Sequence, residues 1–445
     1  MTATMPKHIF LSDWKNPTIK LVEGKGFYFY DIHGNKFIDA SGGGYNVSLG
    51  YGREDIAEVI KQQAIKLSYL TRFTSVSPIL EETSELLADT VKMDRFFFTS
   101  GGSEAVEMGT RIAKTYWLHK GRPNKNKILA RWMSFHGGTF LAMSYGGNVG
   151  KRSDMGSSVL DEGHIVPPLC YRCWFNKQPA SCNLECADAL ETEILCRGPE
   201  NIAGFLCETI GGTTTSGMVP REDYYKRIRE ICDKYEILLI LDEILCGYGR
   251  TGKMLAAEHF GIKGDIVMLA KCISGGYFPV GAVATTEAVA EPFKQYGRYY
   301  AGFTWAGNPM ACAVIIKTAE IMKEEKLVEN CAVMGELLFS KVEKLKDTHP
   351  ILGDVRGKGL LVGMEFVKDR ATREPFEPKD RVIGTVLQKA MGNGVIVSAC
   401  SPPDKGVRGD VILLAPYYGV TKEEIDILVA QLDKTLTEVE DIHFK

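Results

Sequence analysis

Nowhere in the 445 residues does an apolar run reach the ~18–20 positions that a membrane-crossing helix needs. The opening MTATMPKHIF also lacks the apolar stretch of a secretory leader. Both absences predict a cytoplasmic protein that makes no use of a membrane. Charge of one sign is missing too. Lys+Arg number 53 against 56 Asp+Glu, a net charge of −3, so no long-range positive field draws nucleic acid or an anionic lipid surface. Any anion has to be held by a local arrangement. There is no repeat of fixed period and no low-complexity or Pro/Ser-rich linker. The Gly/Ser-rich turn over 99–105 is not the G-x-G-x-x-G dinucleotide fingerprint. With only 8 His there is no obvious His-rich ligand set, and no catalytic metal is expected. What remains is ordinary globular material, 45% hydrophobic and 24% charged. At roughly 100–200 residues per domain the length suits two to four domains, or one large α/β core with an appended lobe. The 12 Cys are scattered, several inside predicted strands or helices (Cys207, Cys232, Cys246, Cys272, Cys312), where a reduced thiol packs as a small apolar residue. No disulfide framework is expected.

The pattern along the chain changes twice. Residues 1–70 are short, glycine-punctuated pieces: GKGFYFYDIHGNKFIDA reads as a hairpin turned at His33-Gly34-Asn35, followed by the loop SGGGYNVSLGYG. Over 71–326, apolar runs of strand length (RFFFT, KILARW, AGFLCE, ILLILD, DIVMLA, PVGAVA) alternate with amphipathic helices, one from Ser103 and one over 222–235. That alternation predicts an α/β fold, a mostly parallel central sheet with helices on both faces. A long helical stretch over about 307–347 leads into 327–445. There VRGKGLLVGMEF, a helix near 380–392, GVIVSA, VILLAP and a closing helix from Thr421 predict a smaller α+β lobe.

Three places carry chemistry. Thr99-Ser100-Gly101-Gly102-Ser103-Glu104-Ala105 joins a strand to a helix, as a phosphate cup does: glycines admit close approach, and the helix N-terminus and the Ser103 hydroxyl supply donors. Plain helix capping by Ser explains the same residues. In ILLILDEILCGYGRTG, Asp242 and Glu243 follow a buried strand, where α/β sheets bind their ligands. A cap, a metal ligand and the partner of a ligand cation are all open to such an acid. In DIVMLAKCISGG, Lys271 ends an apolar strand. Burial there disfavours the ammonium form and suits attack on a carbonyl, while a lysine snorkelling from a core edge is the plain alternative.

In this order, cup, strand-end Asp and strand-end Lys resemble the class III aminotransferases of fold type I, which depend on pyridoxal 5′-phosphate. The pieces that carry the likeness are SGGSEAVE (100–107), FHGG (135–138), CETIGG (207–212), LILDEILCGYGRTG (239–252), LAKCISGG (269–276), TWAGNPMACA (304–313), VRGKGLLVGMEF (355–366) and LLAP (413–416). The resemblance implies a PLP-binding large domain over 71–326 and a small domain built from 1–70 and 327–445. It implies that Lys271 forms the Schiff base and shuttles the proton, and that Asp242 pairs with the pyridinium nitrogen. Phe135 then stacks on the ring with His136 beside it, and Gly102 and Ser103 hold the phosphate. Thr304 reaches the phosphate of a neighbouring subunit, so a homodimer or tetramer with shared sites is implied. Glu208 matches the acid of an E-P motif whose proline is here Thr209.

Thr213 stands where ornithine- and 4-aminobutyrate-type members carry a second Glu. The likeness is therefore to the omega-amine and omega-amino acid branch. It implies transfer from an omega-amine, omega-amino acid or beta-amino acid, such as taurine, beta-alanine or 4-aminobutyrate, to pyruvate or 2-oxoglutarate. A racemase, epimerase or aminomutase on the same scaffold is the alternative. In that branch an Arg of the C-terminal lobe clamps the 2-oxo acid's carboxylate through a planar fork. Arg408 in GVRGDVILLAP is the candidate, and a solvated loop Arg the plain reading. Arg152 is a second carboxylate candidate, and Tyr45 and Phe73 are candidate walls of the substrate tunnel. Cys170-x2-Cys173-x8-Cys182-x3-Cys186 has a spacing open to structural zinc, packed free thiols or disulfides.

Overall fold

The computed structural model describes residues 8–10, 19–71 and 74–444. Its central sheet has seven strands in the order Arg95–Thr99, Gly281–Thr285, Ile266–Leu269, Leu238–Asp242, Ile202–Glu208, Lys127–Arg131, His164–Ile165. Gly281–Thr285 runs antiparallel to both neighbours, and the other neighbouring pairs are parallel. Strands Ile202–Glu208, Leu238–Asp242 and Ile266–Leu269 are buried at every residue, as expected where helices cover both faces. The period of two divides their side chains between those faces. Ile240 and Met268 pack with Val106, Ala113 and Trp117 of helix Gly102–His119 on one side. Leu239, Leu241 and Val267 pack with Ile228 and Ile231 of helix Tyr224–Lys234 on the other.

Two four-stranded sheets flank this core. One contains Leu352–Gly357, Val362–Phe366, Asp410–Leu414 and Ser398–Ala399; the other contains Leu21–Lys25, Tyr28–Asp31, Lys36–Asp39 and Val395–Ile396. Val395–Ile396 pairs in parallel with Lys36–Asp39, so both ends of the chain meet in one sheet. The hairpin turn falls at His33-Gly34-Asn35, where Asp31 Oδ1 accepts the N–H groups of His33 and Asn35, both at 2.8 Å. The long helical stretch is two helices, Pro309–Glu324 and Leu327–Lys344, parted where Lys326 turns left-handed at φ 52°. Among the described residues no helix is long and apolar enough to cross a membrane.

This topology gathers the carboxyl ends of the parallel strands on one edge. Glu208 and Asp242 are the last residues of their strands, and Lys271 comes two residues after Leu269.

Candidate active site

At that edge lies a cavity of about 990 Å³. Gly102, Ser103, Phe135, His136, Glu208, Asp242, Lys271 and Tyr45, all singled out by sequence, line it together. Lys271 is half-buried at the start of a short 3₁₀ turn, Lys271–Ser274, and holds φ 47°. A left-handed backbone at a non-glycine residue costs free energy and is commonly retained where the side chain must be aimed.

Asp242 is buried, and its Oδ1 accepts the N–H of Ile244 at 3.0 Å. Its Oδ2 stands 2.7 Å from His136 Nδ1. His136 is also buried, and among the described residues its Nε2 has no hydrogen-bond partner. Glu243, the next residue, turns away and accepts the N–H groups of Ala256 and Ala257 at 2.8 and 2.9 Å. Burial pushes its carboxyl up to about 7. The two acids of the Asp-Glu pair are thus separated: Asp242 faces the cavity and Glu243 braces a loop.

Glu208 is buried, which raises its carboxyl above the usual range. Its Oε1 accepts Gly212 N–H at 2.9 Å and its Oε2 accepts Phe135 N–H at 3.3 Å, so it ties two cavity segments together. Thr209, in place of proline, donates its N–H to the Asp242 carbonyl at 3.3 Å, a bond proline could not make. The cup is formed by the start of helix Gly102–His119. Ser103 Oγ accepts Gly138 N–H at 3.0 Å and keeps its own hydrogen for an incoming acceptor. Gly137 has φ 142°, and a Cβ there would come within 2.5 Å of Ser103 Oγ, so only glycine fits beside the cup.

Other expectations fall elsewhere. Thr304 is exposed and does not line this chain's cavity. Phe73 lies outside the described residues. Arg152 is not a lining residue: its guanidinium donates to the carbonyls of Met143, Ser144 and Gly146, at 3.3, 2.8 and 3.0 Å, and so closes the end of helix Phe140–Tyr145. Arg408 is also outside the lining. It is held by Asp404 at 2.6 Å and Glu377 at 3.1 Å in an exposed loop, so in this structure it meets side chains of its own lobe and not the cavity. Cys170, Cys173, Cys182 and Cys186 are free thiols. Burial and the other three sulfurs raise Cys186 to about 12. Among the described residues no three His, Cys, Asp or Glu are grouped to hold a metal.

Several lining residues escaped the sequence reading. Tyr45 OH meets Cys400 Sγ at 3.7 Å, and Asn148 Nδ2 donates to Ser401 Oγ at 2.7 Å. Ser401 N–H in turn donates to the carbonyl of Thr213 at 2.9 Å. These contacts bring the C-terminal segment 399–401 in as a wall of the cavity. Lys151 lines it as well, with Nζ 3.8 Å from the Phe135 ring centroid.

Over residues 10–436 the sequence matches the profile of the Aminotransferase class-III family. The chain belongs to the class III aminotransferases. It is similar to a putrescine–pyruvate aminotransferase of Pseudomonas aeruginosa, 33% identical over 94% of this chain and 90% of that one. It is also similar to a taurine–pyruvate aminotransferase of Bilophila wadsworthia, 35% identical over 94% and 92%. An amine transaminase from an uncultivated Pseudomonas species, solved in its PLP-bound form, superposes with a TM-score of 0.91 at 30% identity, covering 99% of each chain. The fold is therefore that of the fold type I PLP enzymes, and pyridoxal 5′-phosphate is the cofactor of this aminotransferase. The residues present fit that group. A helix N-terminus with a free hydroxyl donor suits its phosphate, a buried Asp suits its ring nitrogen, and the unpartnered His136 Nε2 points to a ligand contact.

Proposed function

We propose that this class III aminotransferase moves an amino group from an omega-amine, omega-amino acid or beta-amino acid to a 2-oxo acid, pyruvate or 2-oxoglutarate, in a ping-pong cycle. The observation that carries the reading is the meeting of Lys271, Asp242 and the Gly102-Ser103 cup in one cavity. The similarity to putrescine–pyruvate and taurine–pyruvate aminotransferases supports the substrate class.

The chemistry the cofactor supplies when bound is an electron sink for charge released at the donor's Cα. Lys271 Nζ would hold the cofactor and, as a free amine, would take up and return the proton at the donor's Cα. Asp242 would keep the ring nitrogen protonated, and its 2.7 Å contact with His136 fixes the carboxylate's orientation. Gly102 and Ser103 would hold the phosphate, and Phe135 would pack against the ring. Glu208 positions Phe135 through its backbone. Tyr45 limits the donor's length on the substrate side.

The site is shared in a homodimer. Thr304 is exposed, and beside it Trp305 is 54% exposed while touching Tyr69, itself 42% exposed. Large apolar side chains left open around a residue expected at a phosphate suit burial by a second copy. The working location is the reducing cytoplasm, in keeping with twelve free thiols.

The test is a donor panel on the purified, PLP-loaded protein, read by its visible absorbance and followed by acceptor trials with pyruvate and 2-oxoglutarate. Loss of the visible band with taurine, beta-alanine, 4-aminobutyrate or a diamine, with release of the oxo product, is expected. A racemase or aminomutase would release none, and a protein that takes up no cofactor would overturn the reading.

A further inference from the structure

A 2-oxo acid brings a carboxylate into a cavity already lined by the acids Asp154, Glu208 and Asp242. Some cation has to meet it. Lys271 is committed to the chemistry, and His136 to Asp242. Arg152 is spent on three backbone carbonyls, and Arg408 lies outside the lining, held by Asp404 and Glu377. Among the described residues one lining cation is left. Lys151 stands on the short helix Val149–Met155, and its Nζ rests 3.8 Å from the centroid of the Phe135 ring. Among the described residues it forms no ion pair. Asp154, one turn further on, faces the same cavity without reaching it. Partial burial pulls the ammonium below the usual lysine value, the sign of a charge whose lost hydration has not been replaced by a carboxylate.

We propose that Lys151 is the residue that recognises the acidic end of the substrates, meeting the carboxylate of the 2-oxo acid from beside Phe135. The assignment rests on the transaminase reading for the identity of that acid. It makes Lys151 a specificity-determining residue, in the place that sequence similarity gave to Arg408. A lysine ammonium is a compact point charge without a fixed fork. It therefore accepts carboxylates and sulfonates alike, which suits one pocket that receives acids of different shape in the two halves of a ping-pong cycle.

The test compares wild-type, Lys151→Met, Lys151→Arg and Arg408→Ala holoenzymes at equal cofactor content. The pyridoxamine-loaded proteins react with pyruvate or with butanal, an acceptor that has no carboxylate. Lys151→Met should lower kcat/KM for pyruvate roughly tenfold through KM, as loss of one charge-assisted contact implies, and leave butanal unchanged. Lys151→Arg should restore most of the loss. A second readout needs no turnover: the dissociation constant of propanoate, measured by calorimetry on the resting holoenzyme, should rise by a similar factor in Lys151→Met. Equal loss for pyruvate and butanal, unchanged propanoate binding, or a pyruvate-selective loss in Arg408→Ala with none in Lys151→Met would overturn the assignment. A wild-type protein that transfers no amino group from any donor would overturn the function instead, and the propanoate arm would still decide the role of Lys151.

Discussion

Asp242 and Glu243 leave the same strand one residue apart, yet one faces the cavity across 2.7 Å to His136 and the other binds two backbone N–H groups of a loop. Their substitutions should separate cleanly. Asp242→Asn keeps the shape and removes the charge proposed to hold the cofactor's ring nitrogen protonated. The phosphate end of the site is built by other residues, so cofactor content should stay near wild type while kcat falls on the order of 10²–10³-fold, as when one preorganised electrostatic partner is lost. Cofactor content by absorbance and single-turnover rates with an amine donor measure the two effects. A near-native rate would return Asp242 to a structural cap of Ile244.

At the scale of elements, local sequence rules and tertiary demands meet at helix ends. The closing helix Lys422–His443 begins with a reciprocal cap: Thr421 Oγ1 accepts Glu424 N–H at 3.2 Å, and Glu424 Oε2 accepts Thr421 N–H at 3.0 Å. Thr421→Ala removes one half of it and should lower unfolding free energy by about 1 kcal/mol, read from the urea midpoint. That helix start was legible in the sequence because a cap is local. So were the hairpin turn at Gly34 and the buried strands, whose runs of apolar residues need no knowledge of their partners. Lys151 and Arg152 show where legibility ends. They are adjacent on a seven-residue helix, and only its rotation against the core decides which side chain enters the cavity and which closes helix Phe140–Tyr145. A helix that short has too few apolar residues to fix its phase from periodicity. The Cys400 and Ser401 wall was hidden for a related reason: it is brought to the site by long-range contacts with Tyr45, Asn148 and Thr213, and no local pattern encodes those.

For the whole molecule, the groups that couple stability to pH pull in opposite directions. His164 is half-buried, stacks on Trp132 with ring centroids 4.5 Å apart and places Nε2 3.1 Å from the Tyr145 carbonyl. Desolvation first, and then the nearby Arg152 charge, bring it down to about 4. A histidine near 6.5 when unfolded therefore binds its proton in the unfolded state before the folded one. Between about pH 6.5 and 4 the unfolded chain holds more protons, so stability falls with falling pH and is fully recovered above that window. Glu243, at about 7, and Asp410, raised by burial to about 6, work the other way. Each stays protonated in the fold after it has ionised in the unfolded chain, so their contributions decline as pH rises through roughly 4 to 7. The three partly cancel in any single profile, and a difference measurement separates them. His164→Gln keeps an N–H for the Tyr145 carbonyl and cannot take up a proton. Relative to wild type at equal cofactor loading, it should gain on the order of 2–3 kcal/mol between pH 7 and pH 4 in urea unfolding. A constant difference across that range would mean that His164 is protonated as readily in the fold as out of it, and that the acid sensitivity of the large sheet arises elsewhere.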